Sequence, residues 1–513
     1  MDSELSGQPP SADRATAPAQ CTPGTPSPAR MMRNPRGSSG REANSRPQAR
    51  MPRAHATLRL RWRCMRPDLP RTIGFWGASA VMVGIVIGSG IIATPPAIAR
   101  ETGSPALILL LWIVGGVLSL FGALTYAELA VMYPESGGVY VFLREGLGRG
   151  VAFVFGWTYM LISKPLAAAA IAIVFAQHFN ELFFGIPPAN ATASSITTSA
   201  LLIALTALNV RGLRLGGGVA GVLTGLKVLA LVAIVALALV LSRGSTANFH
   251  PLPSPQPWWL ALGPIMAHVM WTYDGWSDGG SIAGEVRDPR RQLPRIYLAG
   301  TTMVIGLYAA VNAVYIWMIP LPEMRESGTV APLVMQRLVG DGGAVLVALL
   351  IIVSTIGSTH GSIITGARVT FAQARDGLLF SPLARVHPRF GTPAAALWVQ
   401  CALACIAVWY YGNFSELAGG FVFTMWIFYG LAAVVIFIMR RRHPDMPRAY
   451  RCWGYPVVPA LFVLAALLMT ALSIADDWVN TAIWGGVLLG GVPAYMLWRR
   501  FYVPAFVAAR DDD

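Results

Sequence analysis

A chain of 513 residues that is 55% hydrophobic, only 12% charged and formally +14 is too apolar, over too many long runs, to be a large soluble enzyme. Many of those runs reach the ~20 residues that cross a bilayer, and the positive charge is almost wholly arginine lying beside them, which points to membrane topology rather than to nucleic acid. Five cysteines (Cys21, Cys64, Cys401, Cys405 and Cys452) suggest no disulfide framework, and without neighbouring His or carboxylate they make no metal set.

Residues 1–66 are rich in Pro, Ser, Ala and Arg, with no hydrophobic period. They read as a disordered basic tail, lacking the apolar region of a secretory signal. Met65, directly before RPDLPRTIGFW, offers a later start, which would make the tail a start-site artefact; a tail that binds anionic lipid is the other reading.

From there the apolar runs predict helices near 74–98, 105–130, 151–178, 196–210, 218–241 and 258–283, then 298–319, 342–372, 393–411, 415–438, 454–475 and 478–498. An even number puts both termini on one side. With that side cytoplasmic, the inner loops carry the arginine clusters, such as Arg287, Arg290, Arg291 and Arg295, or Arg440, Arg441 and Arg442. The outer loops hold only Arg100, Arg243, Arg325 and Arg337, which fits the positive-inside rule. The expected organisation is an all-α polytopic membrane protein of twelve transmembrane helices: a ten-helix core over 67–451, helices eleven and twelve over 452–500, and a short tail over 501–513.

Two predicted spans are flawed alike. The first contains VGIVIGSGI, with Gly84, Gly88, Ser89 and Gly90; the sixth contains WTYDGWSDGG, with Asp274, Gly275 and Asp278. Glycine weakens a helix, and short polar side chains offer its backbone competing hydrogen bonds. In a bilayer such breaks are tolerated only in protein or beside a cavity. Breaks in helices one and six, five apart, are the pattern of a five-plus-five inverted repeat around a central site. Free N–H groups after the GSG break would hold a carboxylate, and carbonyls near Val86 and from Trp271 to Asp274 would hold an ammonium. A zwitterion is the economical ligand. Ser89 adds a hydroxyl donor, or only bonds its own backbone. Trp271, Tyr273 and Trp276 supply either a lid or ordinary packing. Asp274 must be paired, protonated or wetted: it attracts the substrate amine, answers a lysine, or carries a proton.

Only two lysines occur, and both lie in apolar runs: Lys164 before PLAAAAIAIVFA, and Lys227 inside GVAGVLTGLKVLALV. Each is a functional-site candidate because such a charge is costly without a partner. In the eighth span Ser358 and His360 sit on an unusually polar face beside Thr359, Ser362 and Thr365. Glu128, near the inner end of helix two, reads as an inner-gate charge or as solvated surface.

VGIVIGSGI resembles the signature of the amino acid/polyamine/organocation superfamily, and WTYDGWSDGGSIAGEVRDPRRQLPRI is similar to the sixth span and following loop of its L-type amino acid transporter family. The likeness continues through YAELAVMYPESGGVYVFL, STIGSTHGSIITGARVTFAQARDGLL with HPRFGTP, and PRAYRCWGYPVVP, covering roughly 70–475. The resemblance implies secondary active transport of L-amino acids by alternating access. It places carboxylate-binding backbone on Gly88, Ser89 and Gly90, amine-binding carbonyls on Val86, Trp271 and Asp274, and the aromatic gate on Trp271. Lys227 matches the fifth-helix lysine of several members, where the amine looks like a substitute for sodium and serves as a static tether or as a proton-coupling group; a desolvated amine gives up its proton more readily than a solvated one. Lys164 before Pro165 fits the family pattern as a support residue, by packing or by contact with a polar cavity.

The alternative reading is proton-coupled or exchange transport of cationic amino acids or polyamines. No pore-lining ring suggests a channel and no catalytic set suggests an enzyme. The expected partners are an L-amino acid, membrane lipid and, for a symporter, a proton, with no cofactor, metal or nucleic acid. Some family members join a single-span glycoprotein through a cysteine between helices three and four; 179–195 contains none, so no disulfide-linked heavy chain is expected. The arginine-rich, lysine-poor composition suggests a bacterial inner membrane.

Overall fold

A computed structural model describes residues 71, 73–135, 137–212, 217–241 and 243–501; the expected basic tail over 1–66 and residues 502–513 lie outside them. The described chain is helical. In order, the α-helices are α1 (Phe75–Val86), α2 (Gly90–Glu101), α3 (Pro105–Met132), α4 (Val139–Gly146), α5 (Arg149–Thr158), α6 (Lys164–Phe184), α7 (Ala191–Val210), α8 (Gly217–Leu241), α9 (Trp258–Tyr273), α10 (Pro289–Met318), α11 (Leu321–Glu326), α12 (Val330–Val339), α13 (Asp341–Arg375), α14 (Ala394–Tyr411), α15 (Phe414–Arg442), α16 (Val457–Asp476) and α17 (Trp478–Phe501).

By length and composition, 11 helical segments among the described residues can cross a membrane, with α1–α2 and α5–α6 each counting as one. The run expected over 258–283 is the sixteen-residue α9, which stops at Tyr273 and gives way to a 3₁₀ turn, Trp276–Gly280. Its glycines and aspartates end the helix early, so α9 alone falls short of a full span. The small helices α4, α11 and α12 were not anticipated, because they are too short to show a clear apolar period.

Local chemistry sets the helix ends. Ser104 caps α3 by accepting the Leu107 N–H at 3.2 Å, with Pro105 at the first helical position. Asn190 caps α7 through the Ala193 N–H at 3.0 Å, and Asn413 caps α15 through the Glu416 N–H at 2.9 Å. Gly185, at φ 65°, closes α6 in the left-handed conformation.

The α5–α6 span is the most deeply enclosed of these segments. Its run Ala167–Ala170 gives neighbouring backbones close approach, and α6 packs against α7, α13, α14 and α15. Other contacts pair α3 with α10, α7 with α14, α1 with α8 and α9 with α15. The outer surface carries Leu229, Val240, Leu464 and Leu467 exposed, an apolar coat suited to lipid rather than to water.

Candidate functional site

The first span is interrupted where the sequence is richest in glycine. Helix α1 ends at Val86, and α2 restarts at Gly90 after Ile87–Ser89. Opposite it, α9 ends at Tyr273, Asp274 is extended, and Gly275 takes φ +111°. The interruptions touch. A Cβ on Gly275 would come 2.8 Å from Ile85 Cγ2 and 3.0 Å from the Val86 amide nitrogen, and one on Gly90 would come 2.7 Å from Thr272 Cα. Thr94 Oγ1 secures this second approach, donating to the Gly90 carbonyl at 2.8 Å and lying 3.2 Å from Thr272 Oγ1.

Both interruptions open on one cavity. Ile85, Val86, Gly88 and Gly90 line it from the first span, Trp271, Asp274 and Asp278 from the sixth, Lys164 from the third, Ser362 from the eighth and Phe421 from the tenth. Trp271 meets Phe414 and Phe421 edge-on, at 5.7 and 5.3 Å between ring centroids, so one wall is aromatic. The Asp274 carboxylate accepts from Tyr429 Oη at 2.6 Å, and that hydroxyl lies 2.9 Å from Ser277 Oγ. Ser362 and Ser89 are buried, and their hydroxyls have no partner among the described residues.

The remaining expected residues divide by position. The Val86 carbonyl accepts from the Gly88 N–H at 2.8 Å and from Tyr308 Oη at 2.9 Å. Tyr273 packs away from the cavity lining, against Trp112 and Tyr308. Trp276 does likewise, against Tyr126, Tyr429 and Phe462. Lys227 lies behind the first interruption: its Nζ donates to the Gly84 carbonyl at 2.9 Å, the Ile87 carbonyl at 3.0 Å and Ser358 Oγ at 2.7 Å. Three donors meet three oxygens, which satisfies the ammonium and ties the fifth and eighth spans to the first. His360 is buried nearby in chain, with Nε2 unpartnered among the described residues.

Lys164 pairs with Asp278, Nζ lying 3.2 and 3.5 Å from its two carboxylate oxygens, and sits 5.5 Å over the Tyr159 ring. Glu128 belongs elsewhere: fully buried, it accepts from Arg440 Nε at 3.0 Å and Nη2 at 2.6 Å and from the Cys452 N–H at 2.6 Å, with Arg448 Nε at 3.3 Å. Asp278, Tyr429 and Tyr308 are the participants that sequence reasoning left out of the site; Ser362 belongs to the polar face of the eighth span already noted there. Asp278 alone had a clear signal, since a lysine in one apolar run calls for a carboxylate in another.

A cavity walled by two interrupted helices, inside a bundle of apolar spans, is the organisation of a membrane carrier. The chain matches the amino acid permease family over residues 73–492, and it belongs to that family. Among its relatives are the cystine/glutamate transporter of Pongo abelii (31% identical over 432 residues, 84% of this chain and 85% of that one) and the b(0,+)-type amino acid transporter 1 of Mus musculus (29% over 412 residues, 80% and 84%). The serine/threonine exchanger SteT of Bacillus subtilis (strain 168) is 29% identical over 430 residues, 83% of this chain and 96% of that one. The protein is thus a multi-pass membrane transporter for secondary active transport of amino acids, not an enzyme.

The relatives also correct one expectation. Cystine/glutamate, b(0,+)-type and Asc-type transporters pair through a disulfide with a heavy-chain subunit, so the reading that no such partner is expected does not stand. It rested on a single loop without cysteine, which speaks only of a bond at that loop.

Proposed function

We propose that this protein exchanges one amino acid for another across the membrane, with cationic amino acids among its substrates, and that the backbone groups of the substrate are held at the interruptions of the first and sixth spans. The observation that carries this reading is the single cavity onto which both interruptions open. The amides of Ser89 and Gly90 at the start of α2 suit a carboxylate; the Gly88 amide is already bonded to the Val86 carbonyl. The Val86 carbonyl already has two donors, so the amine falls first to carbonyls of the α9 end, at Trp271 and Asp274. The Asp274 carboxylate lines the same cavity, which favours a positively charged side chain. Trp271 with Phe421 supplies the aromatic lid; Tyr273 and Trp276 serve as packing rather than as part of it.

Exchange is favoured over uptake driven by a bound ion because Lys227 is itself a resident cation, bonded to the backbone at the end of α1 and at the first residue of the interruption. The carrier needs no dissolved cation to hold that segment together. A relative named as a serine/threonine exchanger supports the same reading. Contacts between the second and seventh, third and eighth, and fourth and ninth spans, each five apart, support a five-plus-five inverted repeat within twelve spans, the sixth being α9 with its 3₁₀ turn. Arginine placement supports cytoplasmic termini.

The test is uptake of labelled amino acids into proteoliposomes with and without unlabelled amino acid inside. Uptake that requires internal amino acid and ignores an imposed proton gradient is the expected result. Gradient-driven uptake into empty vesicles would overturn exchange.

A further inference from the structure

The cavity does not end at the helix interruptions. A second cavity shares three of its wall residues, Lys164, Asp278 and Phe421, and four spans run past the shared level in a consistent order. The sixth passes from Trp271 and Asp274 in the first cavity, through Asp278, to Ser281 in the second. The third passes from Ala167 and Ile171, through Lys164, to Tyr159. The tenth runs from Phe421 to Tyr429, and the eighth from Ser362 to Val369. The two cavities are therefore stacked, and the Lys164–Asp278 pair lies at the level between them.

The pair is built as a barrier. Both side chains are buried, and the ammonium reaches both carboxylate oxygens from the start of α6. A π-helical turn, Tyr159–Ser163, immediately precedes Lys164; such a turn inserts one residue into the helix and re-aims the side chains beyond it. Parting the pair with nothing in exchange leaves two uncompensated charges in a poorly solvated place. A charged side chain arriving from the first cavity can replace one member: a cationic group takes the Asp278 carboxylate, and an anionic group takes the Lys164 ammonium.

We infer that Lys164 and Asp278 form a charge-reading gate between two successive cavities on the substrate path, and that the balance of this pair sets which amino acid side chains pass. The inference rests on the proposed amino acid exchange; the stacking of the cavities does not.

The experiment uses the full chain in proteoliposomes loaded with serine, measuring uptake of labelled serine, arginine and glutamate by the wild type, Lys164→Gln, Asp278→Asn and the swap Lys164→Asp/Asp278→Lys. Lys164→Gln leaves Asp278 waiting for a cation, and the arginine-to-serine ratio rises about tenfold. Asp278→Asn moves the glutamate-to-serine ratio upward, by less, because Asp274 remains in the first cavity to oppose an anion. A wild type that carries none of the three would remove the exchange reading itself. A wild type that exchanges, with both folded variants losing all substrates in proportion, would overturn the gate. Thermal unfolding shows whether each variant folds, and if only one does, it decides alone. Should neither fold, recovery of folding and serine exchange in the swap supports the gate, and its failure overturns it.

Discussion

Gly275 of the sixth span lies directly against Ile85 of the first, close enough that a Cβ would meet Ile85 Cγ2 at 2.8 Å and the Val86 amide nitrogen at 3.0 Å. With φ at +111°, the position is closed to other residues on two independent grounds. Gly275→Ala should cost on the order of 2 kcal/mol in stability and remove transport, because moving apart here separates the two interrupted helices. Gly306→Ala is the comparison: it sits in α10 with nothing within 4 Å of its would-be Cβ and should leave the unfolding midpoint unchanged or slightly higher. Thermal unfolding and uptake on both variants check the pair.

Lys227→Ala strips three buried oxygens of their donor, those of Gly84, Ile87 and Ser358. At about 1–3 kcal/mol for each unsatisfied group, partly recovered by Ser358 Oγ turning toward the Gly84 carbonyl 3.3 Å away, the interruption should lose its fixed shape. Uptake should collapse by about a hundredfold or more while helix content and membrane insertion survive, as read by circular dichroism and fractionation. Lys227→Ala with normal exchange would show that the ammonium is dispensable.

That lysine illustrates what the sequence makes legible. A charge inside an apolar run announces a need, and glycine clusters announce where helices fail; both are local signals, readable without knowing the fold. Partners are a different matter. Lys164 and Asp278 are 114 residues apart, and Asp274 and Tyr429 are 155 apart, so nothing local joins them. Tyr429 sits in a span that reads as plain apolar helix, and Tyr273 and Trp276 read as gate candidates because periodicity fades where the helix breaks. Their direction, away from the cavity lining, is decided by packing on α3 and α10 for Tyr273 and on α3, α15 and α16 for Trp276. The π turn before Lys164 leaves no mark in composition at all.

Asp274 and Tyr429 carry a prediction about cargo. Tyr429 Oη is a hydrogen-bond donor to the carboxylate at 2.6 Å, which holds that charge in place at the cavity wall. Asp274→Asn removes the charge but keeps the shape. Arginine uptake should fall about tenfold to a hundredfold relative to serine, the range of a lost charged contact of ~1.5–3 kcal/mol. Tyr429→Phe should move the same ratio less, since the carboxylate stays but is held less firmly. Competition assays with unlabelled arginine and serine read both variants. An unchanged ratio in Asp274→Asn would remove this carboxylate from side-chain recognition.

Glu128 makes a contrasting case. It is fully buried and faces two guanidinium groups and a backbone amide, while Arg440 also lies 3.7 Å over the Tyr455 ring. The arrangement ties the end of α3 to α15 and to the segment leading into α16, at a distance from the cavity lining. Glu128→Gln replaces an acceptor-only group by one that also presents donors, so the amide must aim N–H bonds at guanidinium N–H groups. The partly buried guanidinium groups lose their counter-charge, and stability should drop by about 2 kcal/mol. Arg440→Lys should lose part of that, because an ammonium cannot reproduce the two-point contact. The loss should appear in the unfolding midpoint and in the yield of folded protein, while the arginine-to-serine ratio of the folded fraction keeps its wild-type value; a shifted ratio would instead place Glu128 on the substrate path.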